Sequence, residues 1–149
     1  MTQQEILKKL IIRDLETLKT EIEAYKSETN IWIVADGITN SAGNLCLHLV
    51  GNLNHFIGTV LGNTGYVRQR DLEFSLKNVP RTELLQKIEE TIVMIDRVLD
   101  QVTDKQLESV FPIAVFASDD TTGYLLTHLA THLGYHLGQV NYHRRLLDK

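Results

Sequence analysis

The sequence predicts an all-α protein, a bundle of four helices, and three observations carry that prediction. Four long segments repeat their apolar residues at helical spacing. All six histidines fall within two stretches, Gly37 to Val67 and Thr121 to His143, that contain no Asp, Glu, Lys or Arg, so two of the four helices read as interior. The chain, at 149 residues without a repeat or a low-complexity tract, suits one domain.

The first helix is expected from about Gln4 to Tyr25, with Ile6, Leu10, Leu15, Leu18 and Ile22 among its apolar residues and charges elsewhere. The second runs from about Ser41 to Leu61, capped near Thr39 to Ser41. A loop through Gly62, Asn63, Thr64 and Gly65 leads into the charged segment Arg68 to Phe74, also read as loop. Pro80 opens the third helix, Arg81 to about Val102, with Leu84, Leu85, Ile88, Ile92, Ile95 and Leu99 on its apolar side. A short helical turn follows at Thr103 to Val110, capped by Thr103 or Asp104, and Phe111 to Asp120 reads as an extended connection. The fourth helix runs from about Thr122 to Leu147, with Asp119 and Asp120 as its expected caps.

Composition narrows the function. The hydrophobic fraction of 43% and charged fraction of 23% are ordinary for a globular domain, and the net charge is −4 with scattered Lys and Arg. Nucleic acid is a poor partner for such a surface, because phosphate binding asks for a basic face. Asn, His, Gly and Thr interrupt both charge-free stretches, so neither reads as a membrane span. The N-terminus has no long apolar segment and passes directly into an amphipathic helix, which leaves a cytoplasmic location as the default expectation. Cys46 is the one cysteine and lies on the apolar side of its helix, where a buried thiol is expected rather than a nucleophile.

The candidate chemistry lies in two polar stripes. At 100° per residue, His128, His132, His136, Gln139 and His143 fall within an arc of roughly 80° on the fourth helix. Leu125, Leu129, Leu133, Leu137 and Val140 lie on one side of that arc, and Tyr124, Tyr135 and Tyr142 flank the other. On the second helix Ser41, Asn44, His48, Asn52, His55 and Thr59 share a similar arc of roughly 80°. Walled polar stripes of this kind are how a site inside a bundle is built. If the stripes face each other, His48 meets the His132/His136 pair. Histidines at i, i+4 suit two ligands to one metal, and a third from another helix leaves a coordination position open for water. Small residues form a further stripe on each helix, Thr127, Thr131, Gly134 and Gly138 on the fourth and Gly51, Gly58 and Gly62 on the second. They imply close neighbours, from a second subunit or from tight packing within one bundle.

The segment Thr131-His132-Leu133-Gly134-Tyr135-His136-Leu137-Gly138-Gln139 resembles the H-x-x-x-H-x-G-Q signature of the DinB/YfiT-like superfamily, whose members are read as metal-dependent enzymes. Ser41 to Leu53 resembles the helix that supplies that family's other histidine. His48-Leu49-Val50-Gly51-Asn52-Leu53 together with Arg70-Asp71-Leu72-Glu73-Phe74 looks like a branch of the superfamily with no settled substrate. The resemblance covers nearly the whole chain. It implies a four-helix bundle with a long crossover, often dimeric, holding one divalent metal on His48, His132 and His136. It also implies a small-molecule substrate. Some relatives are transferases acting with low-molecular-weight thiols, one is a thiol-dependent isomerase, and others carry a hydrolase label alone.

Imidazole suits several first-row metals, and zinc, nickel or iron is the expected ion. Asn52, Asn44, His128 and Gln139 are placed to hold the ligand imidazoles or to meet a substrate. His55 and His143 read as satisfied surface or interface histidines. Arg68, Arg70, Asp71 and Glu73 read as a solvated charge cluster, with a lid or an anion site as the sharper alternative. No Glu lies within the histidine stripe, unlike the H-E-x-x-H pattern of zinc proteases, so peptidase chemistry is not expected. The leading expectation is a metal-dependent enzyme that activates water or a small thiol for hydrolysis or S-transfer. The alternative is a non-catalytic, metal-stabilised bundle acting as a dimeric binding or stress-response module.

Overall fold

Four amphipathic segments become four long helices because each can hide its apolar face only against the others. In the computed structural model, which describes residues 1–149, these are α1 (Gln3–Ala24), α2 (Ala42–Leu53), α4 (Arg81–Leu99) and α6 (Thr122–Leu147). Two short helices lie between them, α3 (Arg70–Ser75) and α5 (Asp104–Glu108). The core is one continuous cluster, with Ile11, Leu15, Leu18 and Ile22 of α1 meeting Leu49 and Leu53 of α2, Ile88 and Ile95 of α4, and Leu129 and Leu133 of α6. No helix is long and apolar enough to cross a membrane.

The helices form a ring in which α1 and α2 each pack on both α4 and α6. Gln4 donates to the Leu99 carbonyl at one end of α1 and Arg81 donates to the Glu23 carbonyl at the other, so α1 and α4 are antiparallel. Asn54 meets Thr91, Gly58 faces Met94 and Gly62 faces Val98, so α2 runs the same way as its neighbour α4. Parallel neighbours cannot be joined by a tight turn. Residues 62–80 therefore cross back along the bundle, and α3 within them packs on α2. Asn63 and Asn78, both at positive φ (48° and 56°), turn the chain near the two ends of this crossover.

Side-chain capping sets the start of four of the six α-helices. Thr2 and Thr103 each form a reciprocal capping box, with Glu5 and Gln106, and the Ser41 hydroxyl accepts from the Asn44 backbone N–H. The cap of α6 is Thr121, which accepts from the Tyr124 N–H, rather than Asp119 or Asp120; Asp120 turns back to accept from the Ala117 N–H. Three further departures from the expected elements have local causes. A 3₁₀ turn at Glu28–Trp32 seats Trp32 against Gly43, where a Cβ would strike the indole. The second helix does not reach Leu61 as a plain α-helix but widens into a π-helical turn over Asn54–Leu61. Asn54 Nδ2 takes the Val50 carbonyl four residues back while also donating to Thr91, and this kind of back-bonding loosens a helix. The segment Arg70–Ser75 is helical rather than loop.

The two charge-free stretches are not equally buried. Every residue of α2 is buried. On α6 Leu125, Leu126, Leu129 and Leu133 turn inward, but Tyr124, Tyr135 and Tyr142 are 54%, 66% and 63% exposed, at the surface rather than in the interior. A phenol tolerates water at its polar tip, so a stretch without formal charge need not be an interior one. The glycine stripes divide in the same way. Gly51, Gly58 and Gly62 are closed by Glu73, Met94 and Val98 of the same chain, whereas nothing lies within 4 Å of a Cβ built at Gly138.

Candidate metal centre

Because α2 and α6 run side by side, the middle of one stripe meets the middle of the other. His48 Nε2 lies 3.2 Å from His132 Nε2, and His136 Nε2 lies 3.1 Å from the same atom. The ligand atoms of the three histidines all fall within 4.8 Å of one another, a group that could hold a metal ion. The i, i+4 pair is set edge to face, with ring planes at 89° and centroids 4.5 Å apart.

Hydrogen bonding on the far side of each ring fixes what the near side offers. The Glu73 carboxylate stands 3.0 Å from His48 Nδ1 and accepts its proton, which leaves His48 Nε2 with a bare lone pair. Gln139 Oε1 accepts from His136 Nδ1 at 2.7 Å, with the same result at His136 Nε2. Both lone pairs point at His132 Nε2. One proton on that nitrogen cannot satisfy two acceptors at full strength, and a proton on Nδ1 instead would leave three lone pairs converging. His132 Nδ1 is itself buried without a partner, so no tautomer of His132 settles the cluster. Three neutral imidazole nitrogens converging on one point are a donor set suited to a divalent first-row metal.

Electrostatics favour the neutral form of His132 and His136. Burial, followed by the neighbouring His136 and His48, pushes His132 down to about 4, and burial lowers His136 as well. Burial alone would raise Glu73, but its hydrogen bonds with His48 and Arg68 outweigh that and hold it below the usual carboxylate range. An ionised carboxylate therefore sits inside the protein, 6% exposed, behind a candidate ligand.

The other residues singled out from the sequence are distributed around this point. Gln139 supports His136 as described. Asn44 is one turn from His48, but its amide donates to the backbone carbonyls of Glu73 and Leu76, both at 2.9 Å, and so fastens α3 to α2. Asn52 is buried beyond His48 with its side-chain oxygen unpartnered. His128 stacks on His132 with centroids 5.9 Å apart and meets Phe116 edge on, outside the convergent group. His55 packs on Phe56 from the π-helical turn. Cys46 is fully buried, with its thiol pushed up to about 12 by burial.

Two expectations need correction. His143 is neither a surface nor an interface histidine. It is 7% exposed, with Nε2 donating to the Ile33 carbonyl at 2.8 Å and Nδ1 bonded to the Tyr25 hydroxyl at 2.7 Å. The segment of Arg68, Arg70, Asp71 and Glu73 is also not a uniformly solvated cluster. Arg70 and Asp71 are exposed, but Arg68 clamps the buried Glu73 through Nε–Oε2 at 2.9 Å and Nη2–Oε1 at 3.0 Å. Glu73 is the residue that reading the sequence missed. The available signal was Gly51, one turn from His48, where a missing side chain leaves space beside a candidate ligand.

The fold and its site thus define a helical bundle with a candidate three-histidine metal centre. The chain belongs to the family described as a protein of unknown function, DUF1572, whose model matches residues 2–149. No curated protein matches the chain, and no solved structure does.

Proposed function

We propose that the chain is a metal-dependent enzyme of the DinB-like kind, holding one divalent ion on His48, His132 and His136. The observation that carries this reading is the convergence of three imidazole nitrogens, two of which have their protons committed elsewhere, to Glu73 and to Gln139. With the His132 proton on Nδ1 three lone pairs converge and repel, and with it on Nε2 one donor faces two acceptors; a cation at that point resolves either case. The resemblance of the His132-to-Gln139 segment to the superfamily signature supports the same ligands independently of the geometry.

The convergent group ends at three residues, with no further His, Cys, Asp or Glu within it. That favours an open coordination position over the closed sphere of a structural site. An ion held there would bring the pKa of a water or a small thiol towards neutrality and so supply a nucleophile for hydrolysis or S-transfer. The chain's own residues do the rest. Glu73 and Gln139 hold the imidazoles, and the leucines of α2 and α6 keep the bundle interior dry behind them. A groove of about 540 Å³ borders His136, lined in part by Ile38, Leu45, Tyr135 and Tyr142, and is of a size for a small substrate.

The test is metal content by elemental mass spectrometry on untagged protein, for the wild type and for His136→Ala. About one ion per chain in the former and none in the latter is expected. A wild type that carries no ion and takes up none from supplied zinc, nickel or iron would overturn the reading.

A further inference from the structure

We propose that Glu73 is the positioning residue of the metal centre, and that the crossover carrying it is a built part of the site, held by Arg68 and admitted by Gly51. The inference rests on the reading of His48 as a ligand.

The placement of the crossover residues is the first argument. Leu72 and Leu76 are 40% and 42% exposed, while Glu73 between them is 6% exposed. Packing alone would choose the reverse, because taking a carboxylate out of water is strongly unfavourable even after relaxation. Something must make the inward charge worthwhile, and the atom it meets is His48 Nδ1.

The second argument is that three other residues are spent on this one carboxylate. Arg68 grips both oxygens, in the bidentate arrangement that fixes a carboxylate in direction as well as charge. Asn44 pins the main chain of α3 at Glu73 and Leu76. Gly51 leaves the gap that Glu73 fills, since a Cβ there would stand 2.6 Å from the Glu73 carboxyl carbon and closer still to Oε2. Phe74 adds a wall, its ring 5.0 Å from that of His48. A carboxylate on the far nitrogen of a ligand imidazole fixes the tautomer, aims the near nitrogen and raises its basicity.

The experiment is titration with Co2+, read by its visible absorption, for the wild type, Glu73→Ala, Glu73→Gln and Gly51→Ala. Thermal melting of the metal-free proteins runs alongside. Glu73→Ala and Gly51→Ala should each bind Co2+ about 10- to 100-fold more weakly per folded chain, with an altered spectrum. Glu73→Gln keeps an oxygen to accept from His48 Nδ1 and should recover much of the loss. Because Glu73→Ala strands Arg68, the pair Arg68→Met with Glu73→Leu removes both charges and tests the same loss in a chain free of the unpaired cation. If all these variants melt earlier but bind Co2+ with wild-type affinity and spectrum, Glu73 is structural only and the proposal fails. If the wild type itself binds no Co2+, the three-histidine reading fails first and takes this one with it.

Discussion

His132 and His143 lie on the same face of the same helix, three turns apart, and their surroundings are opposite. His143 has both ring nitrogens spoken for, one by the Ile33 carbonyl and one by the Tyr25 hydroxyl. A carbonyl only accepts, so Nε2 carries the proton and Nδ1 takes the tyrosine's; one neutral tautomer satisfies every atom. His132 has an unpartnered Nδ1 and an Nε2 faced by two other imidazole nitrogens. A histidine completed by its protein neighbours is part of the architecture. One whose neighbours offer lone pairs in place of donors belongs to a group that could hold a metal ion.

The largest effect that would break this comparison is an exchange of phenotypes. His132→Ala should lose the ion altogether while the metal-free protein keeps its stability to within ~1 kcal/mol. His143→Ala should retain the ion per folded chain yet lose ~2–3 kcal/mol in urea denaturation, because it strands a buried hydroxyl and opens a cavity. If His143→Ala lost the metal, or His132→Ala unfolded the protein, the two histidines would have been assigned the wrong way round.

A smaller change sharpens the structural end. Tyr25→Phe removes one hydrogen bond to His143 and leaves the other, so its cost should be ~1 kcal/mol, with metal content unchanged. A cost equal to that of His143→Ala would mean that the tyrosine hydroxyl, rather than the pair of bonds, holds the ring.

The smallest effect is pH-dependent. Glu21 of α1 accepts from Asn141 and Arg144 of α6, beside His143. Burial would raise its pKa, but those bonds outweigh burial and lower it from the ordinary 4.5. A lowered carboxylate pKa stabilises the fold above its unfolded value, and that stabilisation disappears as pH falls through the folded one. The stability difference between the wild type and Glu21→Gln should therefore be ~0.5–1 kcal/mol at neutral pH and vanish in acid. A difference that persisted below pH ~3 would place its origin in packing rather than charge.

The contrast also marks what could be read from the chain itself. The four long helices were legible because apolar spacing is a local property, and α6 runs over the residues its pattern predicts. The meeting of His48 with His132 and His136 was legible for a related reason: spacing puts each stripe on one face, and α2 and α6 pack side by side with those faces in contact. Glu73 was not legible, since it lies 25 residues from His48 and a buried carboxylate has the same letter as a solvated one. His143 was misread for the same cause, its tyrosine partner being 118 residues away. The tyrosines of α6 depart in the other direction, because a segment without charge can still face water through its phenols. The π-helical turn begins at Asn54, whose side chain bonds Thr91 of a helix 37 residues later as well as the Val50 carbonyl.

The span between the candidate ligands has a consequence for how the protein is made. His48 and His132 are 84 residues apart, and α6, the last helix of the chain, supplies two of the three imidazoles. Contacts this distant in sequence form late, after the loop entropy of everything between them has been overcome. A chain truncated before residue 121 holds one of the three candidate imidazoles and can form no chelate. Under the proposed assignment, a bound ion would report that α2 and α6 have docked side by side.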